Sequence, residues 1–168
     1  MHEQSAEFHA DVFRREHRVG QIGDDIVTVL DASVAAKWYL PPRDETLVEE
    51  SLHLLDAFTT GQARFLVPGL FWPEMGNILW KAAGRKRISR ESAAAALRLM
   101  QELRIATHPC QPLLSDAFAI ASKYQCTVYD SMYAALAVAT QRPLITADER
   151  LANTLAGHFP VRWLGAAA

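Results

Sequence analysis

Ile26-Val27-Thr28-Val29-Leu30-Asp31 is an apolar, β-branched run that stops on an acid, and two later stretches repeat the device. Cys126-Thr127-Val128-Tyr129 runs into Asp130, and Pro143-Leu144-Ile145-Thr146-Ala147 runs into Asp148. Short runs of this composition read as strands. In a parallel α/β sheet the carboxyl ends of the strands line one edge, and sites form there. A fourth acid, Glu74, follows Pro73 near the start of a predicted helix. Acids gathered at one sheet edge repel one another unless a positive charge lies between them. Hard divalent cations with oxygen ligands meet that need. The pattern therefore predicts an acidic metal site assembled from Asp31, Glu74, Asp130 and Asp148.

Working outward, strand and helix signals alternate from Ile26 onward, which predicts βαβ units and a parallel sheet. After the first strand, a short helix from Ser33 is stopped by Pro41-Pro42. Asp44 is placed to cap a helix running to Phe58. Arg64–Val67 is the second strand, closed by Pro68-Gly69. A helix over 70–83 carries Glu74 and is ended by Gly84. Ser89 opens an alanine-rich helix to Leu103. Arg104–Thr107 reads as the third strand, and Pro112 opens a helix through Lys123. Strand four ends at Asp130, and a helix follows over Ser131–Thr140. Leu144–Thr146 is strand five, followed by a helix over 149–156. Val161–Leu164 adds an edge strand.

The length of 168 residues favours one domain with a real core, and half of the residues are apolar. Residues 1–25 differ: they are polar, hold three of the six histidines, and read as a poorly ordered tail before a domain over 26–168. The formal charge of −2 neither demands nor excludes a nucleic-acid partner, so a local basic patch would have to serve one. Cys110 and Cys126, with no close pair and no histidine set, do not suit a zinc site. They point to a reducing, cytoplasmic setting. No apolar run approaches the roughly 18 residues of a membrane span, and the N-terminus lacks a secretory core.

Each acid also has a plain structural reading. Asp31, Asp130 and Asp148 each precede a helix and could cap it. Glu74 in a first helical turn complements the helix dipole. Recurrence of the charged residue at three strand ends favours the shared site. Asn77 lies on the Glu74 face, three residues on, and could orient that carboxylate by a hydrogen bond. Among the basic residues, Arg85, Lys86 and Arg87 form a cluster between two helices, and Lys37 lies one short helix from Asp31. These four are candidates for phosphate contacts. His53, His108 and His158 lie outside every acidic motif, so no Ser-His-Asp arrangement is read. No glycine-rich phosphate loop is present either.

Four motifs occur in one order: Leu30-Asp31-Ala32-Ser33-Val34 with Lys37-Trp38; Pro73-Glu74-Met75-Gly76-Asn77; Thr127-Val128-Tyr129-Asp130-Ser131-Met132-Tyr133-Ala134-Ala135-Leu136-Ala137; and Leu144-Ile145-Thr146-Ala147-Asp148-Glu149-Arg150-Leu151. Together, from Val27 to Leu164, they resemble the PIN-domain ribonucleases, most closely the VapC toxins of toxin–antitoxin pairs. The resemblance implies a three-layer α/β/α sandwich around a central, mainly parallel sheet of about five strands. It implies a Mg²⁺ or Mn²⁺ pocket of Asp31, Glu74, Asp130 and Asp148, with Ser33 and Thr146 as hydroxyl neighbours. It implies an RNA substrate, a homodimer, and an antitoxin segment packed near Trp38, Trp72 and Trp80. One departure stands out: Pro41-Pro42-Arg43 intervene before Asp44 and Glu45, where such toxins place an acid sooner.

Metal-assisted phosphodiester hydrolysis fits the acids on chemical grounds too. Mg²⁺ held by a few carboxylates keeps waters and can activate one as a nucleophile. The alternatives are a PIN-type RNA-processing nuclease without an antitoxin, and a non-catalytic α/β module such as a receiver-like domain. The last needs a lysine near Thr146 and Asp148, where none occurs.

Overall fold

The central strand is β1 (Val27–Leu30), buried along its whole length. Such a strand is apolar throughout because helices cover both faces of a parallel sheet. The structure, a computed structural model, describes residues 27–166. The tail expected over residues 1–25 lies outside the described residues. Beside β1 lie β2 (Arg64–Pro68), β3 (Ala106–His108), β4 (Leu144–Thr146) and β5 (Val161–Trp163). All pairings are parallel, in the order β3-β2-β1-β4-β5. The helices are α1 (Ala32–Ala35), α2 (Val48–Thr59), α3 (Phe71–Gly84), α4 (Arg90–Glu102), α5 (Leu114–Tyr124), α6 (Val128–Thr140) and α7 (Glu149–Leu155). Right-handed crossovers put α1–α4 on one face and α5–α7 on the other. The expected α/β/α sandwich is the fold observed.

Strand order reverses at β1. The chain leaves it toward β2 and returns on its other side as β4. The gap between the carboxyl ends of β1 and β4 is the switch point where α/β proteins build sites. Core packing fixes that edge. Val29, Leu30, Val34, Phe71, Met75, Tyr133 and Leu136 lie in one buried cluster. Ser51, fully buried, donates to the Val34 carbonyl at 2.9 Å, and its own carbonyl accepts from Trp38 Nε1 at 2.9 Å. These two bonds tie α2 to the segment that follows Asp31. At the far edge, Gly165 lies under the Trp163 indole, where a Cβ would come within 2.6 Å of the ring.

The expected strand ending at Asp130 is not a strand. Thr127, extended at φ −74°, ψ 155°, caps α6, its hydroxyl accepting from the Asp130 amide at 3.0 Å. That hydroxyl in turn donates to Asp130 Oδ2 at 2.7 Å. Helix therefore begins at Val128 rather than Ser131. The β-branched run misled the reading, while the cap and the alanines at 134, 135, 137 and 139 decided the outcome. The sheet keeps five strands because Val161–Trp163 pairs fully with β4.

The expected cap by Asp44 is also corrected. Residues Pro42–Asp44 form a 3₁₀ turn, and α2 begins later, after Leu47. Asp44 faces Arg87 instead, at 3.2 Å. Ser89 does cap α4, accepting from the Ser92 amide. Cys110 and Cys126 are both free thiols.

Candidate active site

Asp31 occupies the N-cap position of α1, but its side chain does not cap. Its Oδ2 accepts two neutral hydroxyls instead: Ser33 Oγ at 2.7 Å and Thr146 Oγ1 at 2.5 Å. Each hydroxyl is in turn fixed by a backbone amide. The Ala147 amide donates to Ser33 Oγ, and the Asp148 amide to Thr146 Oγ1, each at 3.0 Å. The turn after β4 thus sets both hydroxyls, and they set Asp31. Asp31 is 8% exposed, and burial is the largest influence on it. The hydroxyl bonds oppose that influence, the nearby Asp130 adds to it, and the net result is a raised pKa.

Glu74 lies in the first turn of α3, half-buried. Tyr133, from α6, donates its hydroxyl to Glu74 Oε2 at 2.5 Å. Burial pushes the Glu74 pKa up to about 7; the Tyr133 bond opposes this, and the charges of Asp31 and Asp130 reinforce it. Asp31, Glu74 and Asp130 therefore share one electrostatic environment, delivered by the end of β1, the start of α3 and the start of α6. No basic side chain is paired with any of the three among the described residues.

Asp148 is placed differently. It is exposed, and its Oδ1 accepts from the Leu151 amide at 3.0 Å, so its side chain caps α7. The plain structural reading of this residue is thus realised, and its link to the acidic group runs through its amide and Thr146. Asn77 is exposed, and the donor to Glu74 is Tyr133 rather than Asn77. Among the basic candidates, Lys37 is buried and pairs with Glu45 at 3.1 Å. Arg87 binds Glu45 at 2.7 Å as well as Asp44. Arg85 and Lys86 are exposed on the turn between α3 and α4.

The residues missed in the sequence are Tyr133 and Glu45. Tyr133 stands three positions after Asp130, on the same helical face, once α6 is known to start at Val128. Glu45 is the acid that follows the Pro41-Pro42-Arg43 insertion, and it binds both Lys37 and Arg87.

The donor chemistry fits a hard dication: oxygen ligands only, carboxylates in mutual repulsion, and no competing cation. As they stand, no group of three or more His, Cys, Asp or Glu among the described residues is gathered closely enough to hold one. Asp31 and Glu74 are each held through one oxygen by hydroxyl donors.

Without metal, the raised pKa of Glu74 has a definite consequence. The unfolded carboxyl ionises near its ordinary value of 4.5, and the folded one is pushed up to about 7. A carboxyl raised on folding favours the folded state at low pH, and that advantage is lost as pH rises from about 4.5 through about 7. Glu74→Gln should therefore raise the melting temperature of chelator-treated protein at pH 8 and leave it nearly unchanged at pH 4. An equal change at both pH values would show that Glu74 ionises freely.

The PIN-domain family profile matches residues 28–155, a span from β1 to the end of α7. Ribonuclease VapC3 of Pyrobaculum aerophilum is 33% identical over 133 residues, covering 74% of this chain and 92% of that protein. Ribonuclease VapC1 of Mycobacterium tuberculosis is 38% identical over 85 residues, covering 51% and 63%. Among solved structures, PAE2754 from Pyrobaculum aerophilum superposes with a TM-score of 0.65 at 21% identity, over 90% of this chain and 93% of that one. A toxin–antitoxin complex from Klebsiella pneumoniae superposes with a TM-score of 0.55 at 15% identity, over 80% and 95%. The two structural likenesses carry the fold alone, whereas the profile match and the identity to VapC3 carry descent: the chain belongs to the PIN-domain family, in its VapC ribonuclease branch.

Proposed function

We propose that this protein is a Mg²⁺- or Mn²⁺-dependent endoribonuclease and the toxin of a toxin–antitoxin pair. One observation carries the reading. Three carboxylates from separate elements are electrostatically coupled beside the carboxyl end of β1: Asp130 acts on Asp31, and Asp31 and Asp130 act on Glu74, with no basic partner among the described residues. That arrangement costs stability in the metal-free fold and suits a dication. The curated relatives are named as ribonucleases, which supports RNA as the substrate.

Asp31, Glu74 and Asp130 would hold the ion, with Asp148 at the margin of the set. The ion supplies charge to activate a water and to stabilise the leaving oxygen. The chain's own residues do the rest. Ser33 and Thr146 fix the Asp31 carboxylate through its Oδ2. Lys37 and Arg87 serve the framework through Glu45, so phosphate contacts fall to the exposed Arg85 and Lys86. No described helix is long and apolar enough to cross a membrane. With two free thiols, this suits action in the reducing cytoplasm.

The test is RNA cleavage with added Mg²⁺ or Mn²⁺ against a chelator control, read beside thermal melting. A ligand bound only by the folded state raises the melting temperature by mass action. The metal should do so in the wild type, and the gain should largely vanish in Asp130→Ala. An equal gain in both would place the ion elsewhere. Cleavage insensitive to chelator would remove the metal from the reading.

The structural likeness to a protein solved with its antitoxin supports a protein partner as well. The three tryptophans differ in what they offer one. Trp38 stacks on Phe65 and donates to Ser51, and Trp72 donates to Thr107, so both serve packing. Trp80 is 71% exposed on α3. Buried tryptophans dominate many interfaces. Trp80→Ala should weaken binding of the antitoxin encoded beside this protein by about 2 kcal/mol, yet leave cleavage by the free toxin unchanged. Unaltered antitoxin affinity in a titration would move the interface away from α3.

A further inference from the structure

Asp31 and Glu74 share a design: each has one carboxylate oxygen, Oδ2 and Oε2 respectively, held by neutral hydroxyls. For Asp31 the donors are Ser33 and Thr146. For Glu74 the donor is Tyr133, 1% exposed on α6 and 59 residues away in the chain. The backbone of Ala32, the residue after Asp31, also acts on the phenol and opposes the rise of its pKa. Tyr133 itself lies one helical turn beyond Asp130. One phenol therefore touches or adjoins all three elements that deliver the acids: the β1–α1 junction, the first turn of α3, and the first turn of α6.

We infer that Tyr133 is a positioning residue of the acidic site, whose hydroxyl fixes Glu74 through Oε2 and so presents Oε1 to the metal. The inference builds on the metal-site reading above and deepens it. Tyr133 need not touch RNA or the ion. It acts through Glu74, as outer hydrogen-bond partners orient metal-binding carboxylates in general. Burial, with the charges of Asp31 and Glu74, raises the phenol pKa, so the group remains a donor across the working pH range. Its ring is buried in the same core cluster as Phe71, Met75 and Leu136, which restricts where the hydroxyl can lie. Asn77, the neighbour on the same helix that could have oriented Glu74, is exposed. Without Tyr133, Glu74 would have a free rotamer choice and would have to be ordered at the moment of binding.

The experiment is a double-mutant cycle read by Mn²⁺ binding in calorimetry, with no RNA present. Tyr133→Phe keeps the ring and removes only the hydroxyl. It should weaken Mn²⁺ binding about 10- to 100-fold while the chelator-treated protein still melts cooperatively. In a Glu74→Ala background the same change should have almost no further effect, because the residue it acts through is gone. A purely structural role would give losses that add in the two backgrounds, and additive losses would overturn the inference. So would Mn²⁺ affinity within twofold of wild type in Tyr133→Phe, or loss of its cooperative melt. Asp31→Asn serves as the reference. If it loses Mn²⁺ while Tyr133→Phe does not, the positioning role fails and the metal site stands. If Asp31→Asn binds Mn²⁺ as wild type does, the metal site fails and the positioning role falls with it.

Discussion

Asp31→Asn is expected to lower RNA cleavage by about 100-fold or more, while the metal-free protein melts at a higher temperature than wild type. The two effects have one cause. Asp31 is buried, flanked by Glu74 and Asp130, and its pKa is raised chiefly by burial. A carboxyl raised on folding opposes the folded state once pH exceeds its unfolded value, and neutral pH lies well above that. Asparagine keeps the size and an oxygen to accept from Ser33 and Thr146, so the local bonds can persist. It carries no charge, so the repulsion is relieved and the metal loses a ligand. Cleavage assays and melting curves on the same preparation check both halves. Retained metal-dependent cleavage would remove Asp31 from the site, and a lower melting point would contradict the electrostatic account.

The second large effect concerns stability. Glu45→Ala is expected to destabilise the fold by about 2 kcal/mol, a loss readable in urea unfolding at pH 7. Lys37 lies buried with its ammonium 3.1 Å from Glu45 Oε2, and Arg87 reaches Glu45 Oε1 at 2.7 Å. Removing the carboxylate leaves the Lys37 charge without its partner inside the fold, and this is costlier than losing a surface pair. It also releases the loop after Pro41-Pro42 from the end of α3. Burial alone would raise the Glu45 pKa, but the bonds from Arg87 and Lys37 and their charges outweigh it and hold the group below the usual carboxylate range. A depressed pKa means stability that is present above the unfolded value and lost as pH falls through the folded one. The gap between wild type and Glu45→Ala should therefore narrow in acid. A gap that is constant from pH 7 to pH 3 would point to lost packing instead of lost charge pairing.

The positions read from sequence divide along a physical line. Asp31 was legible because β1 is a fully buried strand, and such a strand writes itself as an unbroken apolar run ended by the residue it presents. Thr146 and Ser33 were legible as its neighbours for the same reason. Asp130 was placed on the wrong element. Four residues before it look like a strand, and only Thr127, acting as a cap on a helix buried over 131–137, turns them into the start of α6. Asp148 has strand-end grammar too, yet its carboxylate is spent on the amide of Leu151.

The sequence by itself determined the alternation of strands and helices, the parallel sheet and the placing of Asp31 at the carboxyl end of its central strand. Those features follow from local composition and from periodicity, which a single chain displays in order. Tertiary structure alone decided which hydroxyls hold which carboxylates and which cations are free to meet RNA. Tyr133 meets Glu74 across 59 residues, and Lys37 and Arg87 are claimed by Glu45 from two sides of a loop. Such pairings depend on where packed helices place side chains to within an ångström. Hydrogen bonds and desolvated charges are sensitive at that scale, whereas the hydrophobic pattern that specifies the fold is not.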